Sequence, residues 1–289
     1  MRLGFAALAL VLCLSNPSQA QDKKAGDPTG PEGADVPKWR ELQAGLDYAT
    51  FDLPATLLDR EASDGKVYIV RVDPLRAPLL VGMASALDGQ SHTAAEWCRK
   101  NGWAVAINMG MYRLDRLKNV GYARFKKHVN NPRWVAKYKS ALALDSRPGH
   151  KAAVMMDLDG KGARASLAEF ETVIQNLRLI QHPGKSAWST ASSRRWSEAA
   201  VAADGTGRIL FVFSRAPLSM GEFTRWLLTL PIHMVAAMHV EGGPEASLSI
   251  HAGGVDLDLN GSYETGFNEN EGEKSQWPIP NVLGVAAQN

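Results

Sequence analysis

Cysteine is almost missing from this chain, with two in 289 residues, Cys13 and Cys98. Cys13 falls in an apolar run near the N-terminus, so a fold lacking that run keeps one thiol and no internal disulfide. Its stability must then come from a hydrophobic core. Cys98 itself lies in Ala94-Ala95-Glu96-Trp97-Cys98, a helical stretch, where a buried structural thiol is expected rather than a nucleophile. No segment is apolar for long enough to cross a bilayer as a helix, since Leu3–Leu14 is well short of the roughly 20 residues required. An excess of one charge is missing too. Lys and Arg number 32 against 30 Asp and Glu, net +2, with the signs interspersed. That balance argues against nucleic acid as the main partner. Internal repeats and a second shift in composition are absent too, which favours one domain.

The N-terminus carries an export signature. Arg2 precedes the apolar run, and Ser18-Gln19-Ala20 is a small-x-small cleavage site, which makes residues 1–20 a signal peptide and Gln21 the first mature residue. An uncleaved anchor is the alternative for the same run. Either way the expected location is periplasmic or secreted, with no membrane span in the remainder. Residues 21–38 are rich in Gly, Pro, Asp and Lys and read as a flexible tether. Residues 39–289 are long enough for one domain with a sizeable core.

Within that domain, Trp39–Leu46 has the composition of a short helix. Tyr48–Leu53, Lys66–Val72 and Leu79–Ala84 have the length and alternation of strands. Thr93–Lys100 reads as a helix stopped by Asn101-Gly102, followed by the apolar strand Trp103–Ile107. Leu142–Asp145 and Ala152–Asp157 are further strands, and Leu167–Thr172 suggests a helical turn or two. Ala199–Ala203 and Ile209–Phe213 flank Asp204-Gly205-Thr206-Gly207, a hairpin signal. Ser219 and Glu222 form a capping box ahead of Phe223, Trp226, Leu227 and Leu230, and Pro231 closes that helix. Ile232–Val240 and a hairpin of Leu248–Ile250 with Val255–Leu259 follow. Many strands and few helices predict an α+β domain on a large, partly antiparallel sheet.

Three segments share one grammar, an apolar strand that stops at a polar residue beside small ones. They are Ala106-Ile107-Asn108-Met109-Gly110-Met111-Tyr112, Val173-Ile174-Gln175-Asn176, and His239-Val240-Glu241-Gly242-Gly243-Pro244-Glu245-Ala246-Ser247. Strand ends hold polar groups rigidly, and adjacent glycines let a ligand approach the main chain. With Trp196-Ser197-Glu198-Ala199-Ala200 running into Asp204-Gly205, these blocks, in this order, resemble the phosphodiester glycosidase domain family. Three departures stand out: Glu241 where the family has Asp, Trp196 where it has Arg, and Asn176-Leu177-Arg178 in place of Ser-Gly-Pro.

The resemblance implies hydrolysis of a sugar–phosphate bond in a glycosyl phosphodiester, without a cofactor or metal. Glu241 is then the base or nucleophile and Asn108 its catalytic partner. Gln175 and Asn176 would hold sugar or phosphate oxygens, and Arg194 or Arg195 would face the phosphate. Gly110, Tyr112, Trp196, Ser197, His239, Gly242, Gly243 and Ser247 would complete the substrate site. The partner is a glycosyl phosphate or an envelope glycan.

Other readings remain open at this point. The same pocket serves a non-catalytic carbohydrate-binding module, or an esterase or other phosphodiesterase. Asp157, Asp159 and Gly162 occupy three positions of a calcium loop, but Lys161 and Ala168 stand at two others, which favours a hairpin turn. His239-Val240-Glu241 lacks the further ligands of a zinc site. Ser247 with His251 lacks a nucleophile elbow. His239 shares a strand face with Glu241, and is either a pocket residue or a satisfied core histidine. Lys126, Lys127, Lys137 and Lys139 form a basic stretch, a solvated face that also suits an anionic envelope polymer.

Overall fold

The computed structural model describes residues 38–58, 63–146, 151–189 and 192–288. The proposed signal peptide, and all but the last residue of the tether, lie outside them. In chain order the strands begin with β1 (Arg40–Gln43), β2 (Leu46–Asp52), β3 (Lys66–Val72) and β4 (Leu79–Met83). Helix α1 (Ala94–Asn101) leads into β5 (Trp103–Asn108), β6 (Ala123–Phe125), β7 (His128–Asn131), β8 (Ser140–Ser146) and β9 (Ala153–Asp157). The short helix α2 (Ala163–Ser166) precedes β10 (Phe170–Gln181), β11 (Lys185–Ser186), β12 (Trp196–Asp204) and β13 (Ile209–Leu218). Helix α3 (Met220–Leu227) is followed by β14 (Met234–Gly242), β15 (Ser247–Ala252), β16 (Val255–Asn260) and β17 (Asn281–Ala286).

These strands form two sheets. The larger runs β1-β2-β3-β13-β12-β14-β10-β6-β7, with β8, β9 and β11 branching from the β10 side, and the smaller runs β16-β15-β5-β17-β4. The inner faces meet in one core, where Val70, Phe211, Val201 and Met238 oppose Val105, Ile107, Leu248 and Leu283. Helix α3 covers the outer face of the large sheet with Phe223 and Leu227 against Ile69, Val212 and Ala202. Helix α1 covers the outer face of the small sheet with Trp97 and Cys98 against Ala106 and Val282. The order is therefore helix, sheet, sheet, helix, an α+β fold dominated by antiparallel pairing.

Local chemistry explains the boundaries. Thr93 and Glu96 make a reciprocal capping box on α1, and Gly102 ends it in the left-handed region at φ 65°. Ser219 and Glu222 do the same at the start of α3. Asp204 Oδ1 accepts from the N–H groups of Thr206 and Arg208, closing the β12–β13 hairpin. The expected helix at Trp39–Leu46 is instead the β1–β2 strand pair. Gly45 turns the chain there at φ 80°, so Leu42 and Leu46 enter the inter-sheet core as strand residues. Phe170–Thr172, expected to be helical, opens β10, the 3-10 turn being confined to Leu167–Glu169.

Two glycines fix how the small sheet packs. A methyl group at Gly284 would stand 2.1 Å from Cε3 of Trp103, and one at Gly82 would stand 2.9 Å from Cζ3 of Trp97. Gly284 pairs with Ala106 on β5, the strand that ends at Asn108. Gly284→Ala is expected to destabilise the protein by about 1–3 kcal/mol through overpacking. A thermal melt showing no change would refute this packing.

Candidate active site

Four glutamates converge where β5, β12 and β14 end. Two come from strands: Glu198 opens β12 and Glu241 closes β14, with Glu198 paired across the ladder to Gly242 and Ala199 to Glu241. The register shifts between Ala199 and Ala200, a bulge of the kind that re-aims side chains beside functional sites. Val240 points into the inter-sheet core and His239 to the outer side, opposite Ala200, but the bulge breaks the shared face expected for His239 and Glu241: Glu241 pairs with Ala199, on the inter-sheet side. Glu245 lies in the turn after β14, and Glu264 in the segment that follows β16.

Glycine makes this convergence possible. A Cβ at Gly243 would stand 2.8 Å from Oε2 of Glu264 and 3.7 Å from Oε2 of Glu245, so both carboxyls reach one point on the backbone. Gly243 also needs its positive φ of 62°. A Cβ at Gly242 would stand 2.8 Å from Cδ1 of Trp196, so only glycine lets that indole lie on the strand end.

The electrostatics follow from crowding like charges in a dry place. Burial lifts Glu241 well above the usual carboxylate range, and the charges of Glu245, Glu264 and Glu198 add to it, with one opposing hydrogen bond from the Gly242 N–H. Burial raises Glu245 to about 7, helped by Glu264 and opposed by Arg116. Burial also raises Glu264, which Arg194 and His239 draw back. The phenols of Tyr112 and Tyr138 are pushed up by burial and by the charge of Glu241, which places both near it. Glu241 thus holds its proton near neutral pH and Glu245 shares one there, and a protonated carboxyl donates hydrogen bonds to an anion instead of repelling it.

His239 is the second feature of the site. Its Nδ1 lies 2.5 Å from Oε1 of Glu198, whose Oε2 accepts from the Trp196 indole at 2.7 Å. Both Glu198 oxygens are thus occupied, and the residue is 1% exposed. Among the described residues His239 Nε2 has no hydrogen-bond partner, which leaves it for a ligand.

The remaining expected residues divide into supports and neighbours. Asn108 does not point a free amide at substrate. Its Nδ2 donates to the Glu245 carbonyl and its Oδ1 accepts from the Ser247 N–H, so it clamps the turn that carries Glu245. Ser247 donates to the same carbonyl at 3.2 Å. Ser197 Oγ donates to the Arg215 carbonyl and accepts from the Ser262 N–H, anchoring the segment that bears Glu264. Asn176 donates to the Met109 carbonyl, close against Gly110, where any Cβ would strike its amide at 2.6 Å.

Gln175 faces away from the cluster. Its neighbours Ile174 and Asn176 point to the inter-sheet side, and its own amide makes four bonds to the backbone of Tyr122, Val135 and Tyr138. Its expected contact with substrate is replaced by this structural role, because strand alternation puts it on the opposite face. Arg195 is likewise turned aside, pairing with Glu222 of the α3 cap at 2.6 Å. Arg194 is the member of that pair whose charge reaches the cluster, through Glu264.

Three alternatives from the sequence find other uses for their residues. Asp157 and Asp159 pair with Arg178 and Lys139. His251 sits between Asp256 and Asp258 rather than beside Ser247. Cys98 borders a separate hollow of about 520 Å³ with Trp103 and His251, and burial pushes its thiol up to about 12, as expected of an inert structural thiol. Among the described residues no group of three or more His, Cys, Asp or Glu side chains is arranged to hold a metal ion.

The phosphodiester glycosidase family model matches residues 101–286, well over half of the chain. The chain belongs to the phosphodiester glycosidase family. Its fold is similar to the catalytic domain of zebrafish N-acetylglucosamine-1-phosphodiester alpha-N-acetylglucosaminidase, auto-inhibited by its pro-peptide, at 14% identity and TM-score 0.59 over 86% of each chain. A hypothetical protein from Synechocystis matches at 16% identity and TM-score 0.56, over 87% of this chain and 64% of that one. A Burkholderia pseudomallei protein taken to be exported matches at 10% identity and TM-score 0.52, over 90% and 98%. No curated protein matches in sequence. Family membership supports a hydrolase acting on glycosyl phosphodiesters, and no helix among the described residues is long and apolar enough to cross a membrane.

Proposed function

We propose that this chain hydrolyses the sugar–phosphate bond of a glycosyl phosphodiester at the glutamate cluster. It would act in the periplasm or outside the cell, after loss of residues 1–20, with residues 21–38 as a tether to the domain. The observation that carries the reading is the half-buried pair Glu241 and Glu245 at the end of β14, two carboxyls that both hold their protons more tightly than a free one. A glycosidase needs one carboxyl to give a proton and one to take it, and unequal surroundings assign the roles.

Glu241, whose proton affinity is raised well above the ordinary carboxylate range, holds its proton in the free site and gives it to the departing phosphate oxygen. The sequence suggests a base or nucleophile at Glu241, and its raised proton affinity favours the acid role. Glu245, at about 7, ionises first and takes the proton of the attacking water. His239 and Arg194 lie on the Glu264 side of the cluster and meet the phosphate. Asn108 and Ser247 act through the backbone, by fixing the turn from which Glu245 projects.

A chromogenic sugar–phosphate diester and the matching simple glycoside separate this from the rival readings. Release of free sugar and intact phosphate monoester from the diester supports the proposal. Binding without turnover would instead favour a carbohydrate-binding module. The pH dependence has a definite sign. kcat/KM should fall as pH drops through about 7, where Glu245 becomes protonated, and fall again on the alkaline side as Glu241 loses its proton. Glu245→Gln should abolish the acid limb together with most of the activity. An unchanged limb in that variant would remove Glu245 from the mechanism.

A further inference from the structure

The loop that leaves the site after Tyr112 has a tip that nothing in the fold covers. Leu114 is 103% exposed, at the end of a tight turn closed by the Arg113 N–H to the Lys118 carbonyl and the Arg116 N–H to the Arg113 carbonyl, both at 2.8 Å. The turn is built, not loose. Asp115 Oδ1 accepts from the N–H groups of Leu117 and Lys118, and Arg116 is held in the left-handed region at φ 53°. A single exposed leucine needs no explanation, but a rigid turn that presents one among cations does. Arg113, Arg116 and Lys118 are all exposed around it.

Two neighbouring segments extend this face. Asn130 on β7 donates to Ser85 Oγ at 2.8 Å and to the Leu117 carbonyl at 2.9 Å, and accepts from the Asn119 N–H. Ser91 bonds the Arg116 carbonyl at 3.2 Å, and His128 bonds Ser85 at 2.9 Å. The turn, the segment 85–91 and the β6–β7 hairpin are therefore stitched into one surface. That surface adds exposed Leu87 and Val129, at 66% and 48%, and the hairpin tip Lys126-Lys127. Five exposed cations, Arg113, Arg116, Lys118, Lys126 and Lys127, stand with Asp88 and Asp115 on these segments, and Lys126 and Lys127 border a hollow shared with Glu169 and Glu171.

We propose that this face docks on an anionic lipid bilayer, with Leu114 entering the headgroup boundary and the flanking lysines and arginines meeting lipid phosphates. Apolar residues at the tip and cations around them are what an interfacial site requires. An anionic polymer would use the cations but has no use for Leu114. The face adjoins the glutamate cluster, since Tyr112 pairs with Asn119 and the charge of Arg116 acts on Glu245. On the reading given under Proposed function, the substrate is then a glycosyl phosphate whose other substituent is a lipid.

Sedimentation with vesicles tests the docking without any assay of turnover. Protein recovered after export would be mixed with vesicles of phosphatidylglycerol and phosphatidylcholine, or of phosphatidylcholine alone. The expected result is binding only to the anionic vesicles, weakened by salt. Leu114→Asp should lower the vesicle partition coefficient about tenfold, and Lys126→Glu with Lys127→Glu at least as much, since each basic residue near the surface is worth about a fivefold change in binding. The rate on a soluble sugar–phosphate diester should be unchanged in Leu114→Asp. Equal binding of Leu114→Asp and the unaltered protein, or no preference for anionic vesicles, would overturn the proposal. Salt-sensitive binding indifferent to Leu114 would mark a polyanion site instead. A protein that binds vesicles as expected but never turns over the diester would leave the docking intact and refute the hydrolase reading.

Discussion

Glu241→Gln is expected to lower kcat about a thousandfold, within the range general acids contribute, while the protein keeps its fold. Glutamine matches the shape of the carboxyl and can still bond its neighbours, but it has no proton to give. The same substitution should make the protein more stable at alkaline pH. Glu241 and Glu245 both bind protons more tightly in the folded chain than at the ordinary value of 4.5. Their contribution to stability is therefore fully present below about 4.5 and is lost as pH rises, through about 7 for Glu245 and higher for Glu241. At pH 8 the variant should be more stable than the native protein, and near pH 4 the two should match. A variant equally inactive but destabilised at pH 8 would show that Glu241 is held as a satisfied carboxylate, contrary to the burial described above.

Glu198 carries the second large effect. It is buried beneath His239 and Trp196 and bonded to both. Glu198→Ala leaves an imidazole and an indole N–H without partners and should cost about 3–5 kcal/mol, the usual penalty for halving a buried pair. Glu198→Gln is the more informative variant. It keeps the volume and one hydrogen bond but no longer fixes the imidazole proton on Nδ1, so the orientation and donor state of Nε2 are lost. A fall in kcat/KM of about a hundredfold is expected, with melting temperature lowered far less than in Glu198→Ala. If the two variants lost activity only in proportion to stability, Glu198 would be a core residue and not a positioning one.

Much of the fold is legible in the sequence because local signals agree there. The two capping boxes at Thr93 and Ser219 and the Asp204–Gly207 hairpin each combine a turn residue with matching periodicity. Trp39–Leu46 misleads because eight residues cannot separate helix from two short strands, and Gly45 decides it through tertiary contact with Arg76. The site is half legible. Glu241, Gly242 and Gly243 follow from an abrupt strand end, whereas Glu264 lies in an irregular segment with no periodicity at all. Glu198 did leave a signal, an acid opening the otherwise apolar run Ala199–Ala203, where a charge must be paired. Gln175 shows the cost of ignoring parity, since Asn176 next to it points inward and Gln175 cannot.

The central claim is that water attacks the sugar carbon and not the phosphorus. Turnover of a glycosyl phosphodiester in heavy-oxygen water, followed by mass analysis of both products, measures this directly. The account predicts the label in the hydroxyl of the released sugar and none in the phosphate monoester. Label in the phosphate would make the protein a phosphodiesterase and leave the roles given to Glu241 and Glu245 without support.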